Sequence, residues 1–127
     1  MAQGPEEHPD RVPGAEDAQA DLRKFQLYLL NETHPRGAGK AKFFRMLGFN
    51  AEDLRDRFLD EVPRVAGRFS RENAYGGANY EAVIRVQSTS GRTYHVNTFW
   101  EVGETGTKFL TAYPGEADKV EDEGSES

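Results

Sequence analysis

A chain of 127 residues has room for one hydrophobic core, and its 36% apolar and 30% charged composition suits a small globule with polar ends. No apolar run approaches the roughly 18 residues of a membrane span, and the lack of cysteine excludes disulfides, thiolate catalysis and cysteine-ligated zinc. The net charge of −6 is unevenly spread: residues 1–20 carry −4 and residues 115–127 carry −5, which leaves +3 on residues 21–114.

The division of charge matters for partners. Acidic ends confer solubility, whereas a mildly basic centre suits a polyanion such as RNA. Residues 1–20 hold Val12 as their one sizeable apolar side chain, and residues 115–127 read "GEADKVEDEGSES". Both segments lack the apolar surface needed to offset ordering entropy, so the sequence predicts disordered acidic tails around a single domain at 21–114. The opening "MAQGPEEHPD" has neither the basic cap nor the apolar run of a secretory signal. With no cysteine either, a cytoplasmic location is the expectation.

In chain order, "DLRKFQLYLLN" places Leu22, Phe25, Leu29 and Leu27, Leu30 at helical spacings, with Asp21 as N-cap. "GKAKFFRMLGF" predicts a second helix with an apolar stripe of Phe43, Phe44 and Leu47, stopped by Gly48. A third helix follows in "NAEDLRDRFLDEV", capped by Asn50, with Leu54, Phe58 and Leu59 inward and Pro63 limiting it. From Arg68 onward the period falls to two. "GRFSREN" is a short first strand, and "NYEAVIRVQS" alternates Ala82, Ile84 and Val86 with polar residues. "GRTYHVNTFWEV" puts Tyr94, Val96, Thr98 and Trp100 on one face and His95, Asn97 and Phe99 on the other, and "TKFLTAYP" closes the series. Glycines in "STSGR" and "GETGT" fit tight hairpins. The fold class is therefore α+β, with N-terminal helices packed on an antiparallel meander whose other face is open to a ligand.

The stretch "NETHPRGAGKAKFF" concentrates the candidate chemistry. It is no Walker loop, because His34 stands where the first glycine belongs and Ala41 follows Lys40. Glycines leading into a helix still expose backbone N–H groups beside Lys40, which suits an anion, and equally suits a plain linker between helices. His34 precedes Pro35, which holds it extended. Among Arg36, Lys40 and Lys42 its cationic form is disfavoured, so it is a candidate neutral base as well as a candidate surface histidine. Thr98 and Thr111 each interrupt an apolar strand face and are candidate hydroxyl donors to one site; both are also ordinary strand residues. Trp100 and His95 are candidate contacts for RNA bases on the sheet, with core packing and simple solvation as their alternatives. The three histidines lack the spacing of a metal motif, so no metal site is expected.

"YLLNETHPRGAGKAKFFRMLGF" and the later "TFWEV" and "FLTAYP" resemble a family of small bacterial domains with the pattern YLL-N-x-x-HP-x-G-x-GKAxFF-x-x-LGF, T-x-W and TAYP. The likeness spans about residues 22–114. That family in turn resembles the barnase-, colicin- and RelE-like nuclease toxins, which have N-terminal helices before an antiparallel sheet. The resemblance implies a ribonuclease-like toxin that cleaves RNA, either tRNA or mRNA, without metal or cofactor, and that is neutralised by an antitoxin or immunity protein. It implies catalytic roles for His34 as acid or base, Lys40 as phosphate clamp, Thr98 and Thr111 as hydroxyl donors and Tyr113 as a second proton carrier. Arg36, Lys42, Trp100 and His95 then bind substrate. The alternative is a non-catalytic module binding protein or nucleic acid through the open sheet face.

Overall fold

A computed structural model describes residues 7–31, 33, 38–74 and 76–117. Helix α1 (Leu22–Lys24) opens at Asp21, whose carboxylate accepts the Arg23 N–H at 2.9 Å, and continues as a π-helical turn over Phe25–Leu29. Helix α2 (Ala38–Met46) stops before Gly48, which sits at φ 93° in the left-handed region where glycine is favoured. Helix α3 (Ala51–Glu61) is capped by Asn50, whose side chain accepts the Asp53 N–H at 2.8 Å, and a 3-10 turn (Val62–Arg64) carries Pro63. Strands β1 (Gly67–Glu72), β2 (Ala78–Gln87), β3 (Thr93–Gly103) and β4 (Gly106–Ala117) form one antiparallel sheet in sequence order. The architecture is α+β, as the periodicity predicts. No helix among the described residues is long and apolar enough to cross a membrane.

The helices cover one face of the sheet. Phe25, Leu29, Phe44, Leu47, Leu54 and Phe58 meet Ala82, Ile84, Val86, Val96, Trp100 and Phe109, all essentially inaccessible to solvent. Aromatic rings join the two layers: Phe25 stacks on Phe109 at 5.0 Å between centroids, and Trp100 meets Phe109 edge-on at 5.4 Å.

Part of the N-terminal segment differs from the expected disordered tail. Val12 is fully buried in the core, and residues around it strap the domain. The His8 N–H donates to Pro63 O and the Gly67 N–H to Asp10 O, both at 2.8 Å. The Gln19 N–H then donates to Thr107 O at 2.9 Å, and the Phe109 N–H returns to Gln19 O at 2.8 Å. The strap is held by backbone hydrogen bonds and one apolar anchor, which a composition argument underweights. At the other end β4 runs to Ala117, three residues beyond the predicted boundary at 114. Residues 1–6 and 118–127 lie outside the described residues.

Strand β4 also contains a bulge that determines where its side chains point. Phe99 pairs with Thr111 and Trp100 with Phe109, leaving Leu110 as an extra residue between them. The bulge reverses the alternation. Phe109 and Ala112 face the helices, whereas Thr111 and Tyr113 share the face of Phe99 and Asn97.

Candidate functional site at the β4 edge

Strand β4 has a sheet neighbour on one side only, and its outer edge is covered in three steps. Gln19 pairs with the backbone of Thr107 and Phe109, Lys24 Nζ donates to Leu110 O at 3.2 Å, and Lys40 Nζ donates to Ala112 O at 2.9 Å. An unprotected edge invites pairing with another chain, and lysines are a usual remedy.

Lys40 does more than cover an edge. It is the third residue of α2, and its ammonium also donates to Thr111 Oγ1 at 3.3 Å. The same nitrogen lies 4.0 Å from the Tyr113 ring centroid and 4.6 Å from that of Tyr28. Two aromatic faces, a hydroxyl and a carbonyl thus hold a half-buried cation, each ring contributing on the order of 0.5–2 kcal/mol. Among the described residues no carboxylate pairs with Lys40. The result is a fixed, uncompensated positive charge beside one alcohol and two phenols. Such a constellation attracts an anion and supplies polar O–H groups around it.

Other predicted residues fall elsewhere. Thr98 is fully buried; its Oγ1 donates to Ala82 O at 2.6 Å and accepts from Trp100 Nε1 at 2.7 Å. The hydroxyl therefore satisfies the core tryptophan, and the expected meeting of Thr98 with Thr111 does not occur because the Leu110 bulge turns Thr111 to the opposite face. Trp100 is likewise fully buried among the helices and meets no open face. Lys42 is exposed, and two residues along a helix turn it about 200° from Lys40, away from the cluster. His95 lies half-buried on the open face, opposite Arg85. His34 and Arg36 lie outside the described residues.

Tyr28 is the member that sequence reasoning missed. In "YLLN" it looks like one more aromatic of an amphipathic helix. The π-helical turn Phe25–Leu29 keeps Phe25 and Leu29 buried while setting Tyr28 against Lys40. A tyrosine just before a loop with a lysine beyond it is the only hint the sequence holds. Away from this cluster, clefts of about 420 and 410 Å³ flank the Glu101–Lys108 pair near the β3–β4 turn. Neither includes Lys40, Thr111 or Tyr113.

A family model matches residues 11–116, from within the strap to the penultimate residue of β4. The chain belongs to the DUF6883 family, a domain of unknown function. No curated protein and no solved structure matches it. The DUF6883 span includes the strap at Val12 and Gln19 along with every helix and strand described above, save the last residue of β4, Ala117.

Proposed function

We propose that this DUF6883 domain is a ribonuclease-like toxin domain that binds an RNA phosphodiester at the β4 edge and cleaves it without metal. The observation carrying this reading is the uncompensated Lys40 ammonium seated among Thr111, Tyr28 and Tyr113. In the reaction the 2′-oxygen attacks the adjacent phosphorus while its proton passes to a base. The bond from phosphorus to the 5′-oxygen breaks, and that oxygen takes a proton from an acid, leaving a 2′,3′-cyclic phosphate and a 5′-hydroxyl. Lys40 stabilises the extra charge on the phosphorane oxygens, and Thr111 Oγ1 donates to one of them. Tyr113 and Tyr28 border the Lys40 ammonium as proton carriers, and His34 is the further carrier that the resemblance adds. An antitoxin or immunity protein is its natural partner.

The test is total RNA or tRNA incubated with the full chain in a chelator, beside Lys40→Ala and His34→Ala forms. Loss of cleavage in the Lys40 variant, with cyclic phosphate among the wild-type products, is the expected result. Equal cleavage by all forms, or none by any, sinks the catalytic reading.

A second reading has its own observation. Two of the three Lys40 N–H donors already meet Ala112 O and Thr111 Oγ1, which suits a module that binds without turnover. It predicts RNA or protein binding that survives in wild type without any cleavage.

A further inference from the structure

The open face of the sheet carries an unusual row beside the Lys40 cluster. Val83 on β2, Asn97 on β3 and Tyr113 on β4 are direct cross-strand neighbours. At a strand spacing of about 4.8 Å the row spans about 10 Å. Val83 is 42% exposed and Tyr113 46% exposed. Phe99 borders the row, edge-on to Tyr113 at 5.8 Å between centroids. A sheet face normally solvated by charged and hydroxyl side chains instead presents an aliphatic and two aromatic surfaces here.

Asn97 lies between them, half-buried. Among the described residues no hydrogen bond engages its side-chain amide. An amide held between apolar neighbours, with donor and acceptor both unused, is matched to a planar ligand that offers one of each on a single edge. Nucleobases do so, and asparagine reads them with paired hydrogen bonds.

Charge favours the same ligand. Glu81 stands cross-strand from Phe99 beside this row and Glu101 lies two residues further along β3, and both carboxylates are already engaged: Arg68 Nη2 donates to Glu81 at 2.7 Å, and Asn73 Nδ2 donates to Glu101 at 2.9 Å. The row of Val83, Asn97 and Tyr113 contains no acid, and Lys40 flanks it at the β4 edge.

We infer that this face recognises the bases of single-stranded RNA, with a base stacked on Tyr113 and Phe99 and its edge read by Asn97. The inference rests on the proposed RNA substrate and adds a base preference to it. Paired bases are inaccessible to such a platform, so duplex RNA is excluded from it.

The experiment uses the full chain and three 12-nucleotide 2′-O-methyl oligomers of adenine, cytosine or uracil, which resist 2′-hydroxyl attack. Binding is read by fluorescence anisotropy. One oligomer is expected to bind about fivefold or more tighter than the others. Asn97→Ala is expected to compress that ranking to within about twofold, whereas Tyr113→Ala weakens all three by about tenfold. Lys40→Ala is expected to weaken all three without reordering them, as a phosphate contact does. Since the Asn97 amide makes no hydrogen bond among the described residues, the melting temperature of Asn97→Ala should match wild type and serves as the folding control. Equal affinity for the three oligomers, or a ranking unchanged by Asn97→Ala, overturns the inference and leaves the cleavage reading standing. Binding to none of them, together with RNA left uncut, removes both. Tight capture of a protein with no RNA binding overturns the inference in favour of a protein partner.

Discussion

The Lys40 ammonium lies 4.0 Å from the centre of the Tyr113 ring, which tethers the start of α2 to the far end of β4 across 73 residues of sequence. A lysine in this position has two jobs that substitutions can separate. As an edge cover it donates to Ala112 O, and as a charge it faces the open side of the sheet.

Lys40→Met keeps the side-chain length and loses the charge. It forfeits two hydrogen bonds and the ring contacts, and its half-buried position limits the loss of stability to about 1–2 kcal/mol. Cleavage of RNA, if Lys40 clamps the phosphorane, should fall about a hundredfold or more. A denaturant curve and a cleavage assay on the same sample check both parts. A variant that melts early and still cleaves at full rate assigns Lys40 to the edge alone.

Thr98→Val is predicted to act on the core and leave the site alone. It removes the acceptor of Trp100 Nε1 and leaves Ala82 O without its 2.6 Å donor, both in a fully buried setting. An unsatisfied buried group costs about 1–3 kcal/mol, so the variant should lose about 2–4 kcal/mol of unfolding free energy in urea. Thr98→Ser keeps the hydroxyl and should recover most of that loss apart from the missing methyl. Below the unfolding transition, RNA affinity of both variants should equal wild type.

Thr98 and Thr111 mark how far the sequence could be read. Caps at Asp21 and Asn50, stops at Gly48, Gly91 and Gly106, and alternation through β2 and β3 all depend on neighbours a few residues away. They were legible because the physics is local. Thr111 was misdirected by one extra residue at Leu110, since a bulge moves every later side chain to the opposite face and leaves no mark in composition. Tyr28 was hidden for a similar reason: a π-turn changes the helical phase without changing the residue types. The alternation puts Asn97 on the correct face, but that its amide makes no hydrogen bond among the described residues was invisible, because it depends on every strand around it.

Asp21 makes the start of α1 sensitive to acid. Its carboxyl is lowered from the usual 3.8 to about 2, first by the side-chain hydrogen bond from Arg23 and next by the Arg23 backbone N–H. A depressed value means that the folded state favours the charged form, so the contribution is complete above the unfolded value and lost as pH falls through the folded one. Asp21→Asn keeps a cap and discards the charge. The melting temperature of wild type should exceed that of Asp21→Asn near neutral pH, and the gap should close between pH 3.8 and about 2. A gap that persists unchanged at the acid end contradicts the assignment.

The strap offers the last prediction, because Gly67 and Val12 occupy almost the same space. A Cβ added at Gly67 would lie 2.6 Å from the Val12 backbone nitrogen and 2.8 Å from its Cα, and backbone atoms have little freedom to withdraw. Gly67→Ala should therefore push the strap off β1, break the bond from the Gly67 N–H to Asp10 O and draw Val12 from the core. Val12→Ala keeps the backbone path and loses only the buried methyls, at about 2–3 kcal/mol. The two variants differ in where they are felt. Hydrogen exchange in Val12→Ala should accelerate broadly, in proportion to lost global stability. In Gly67→Ala, amide protection should fall first at the substituted position and then at Phe109, where Gln19 O is the acceptor at the other end of the same strap. Freeing the Thr107–Phe109 edge also exposes unpaired strand backbone, so Gly67→Ala should self-associate on warming at concentrations where Val12→Ala stays monodisperse. Unaltered exchange at Phe109 in Gly67→Ala means that the two ends of the strap are held independently.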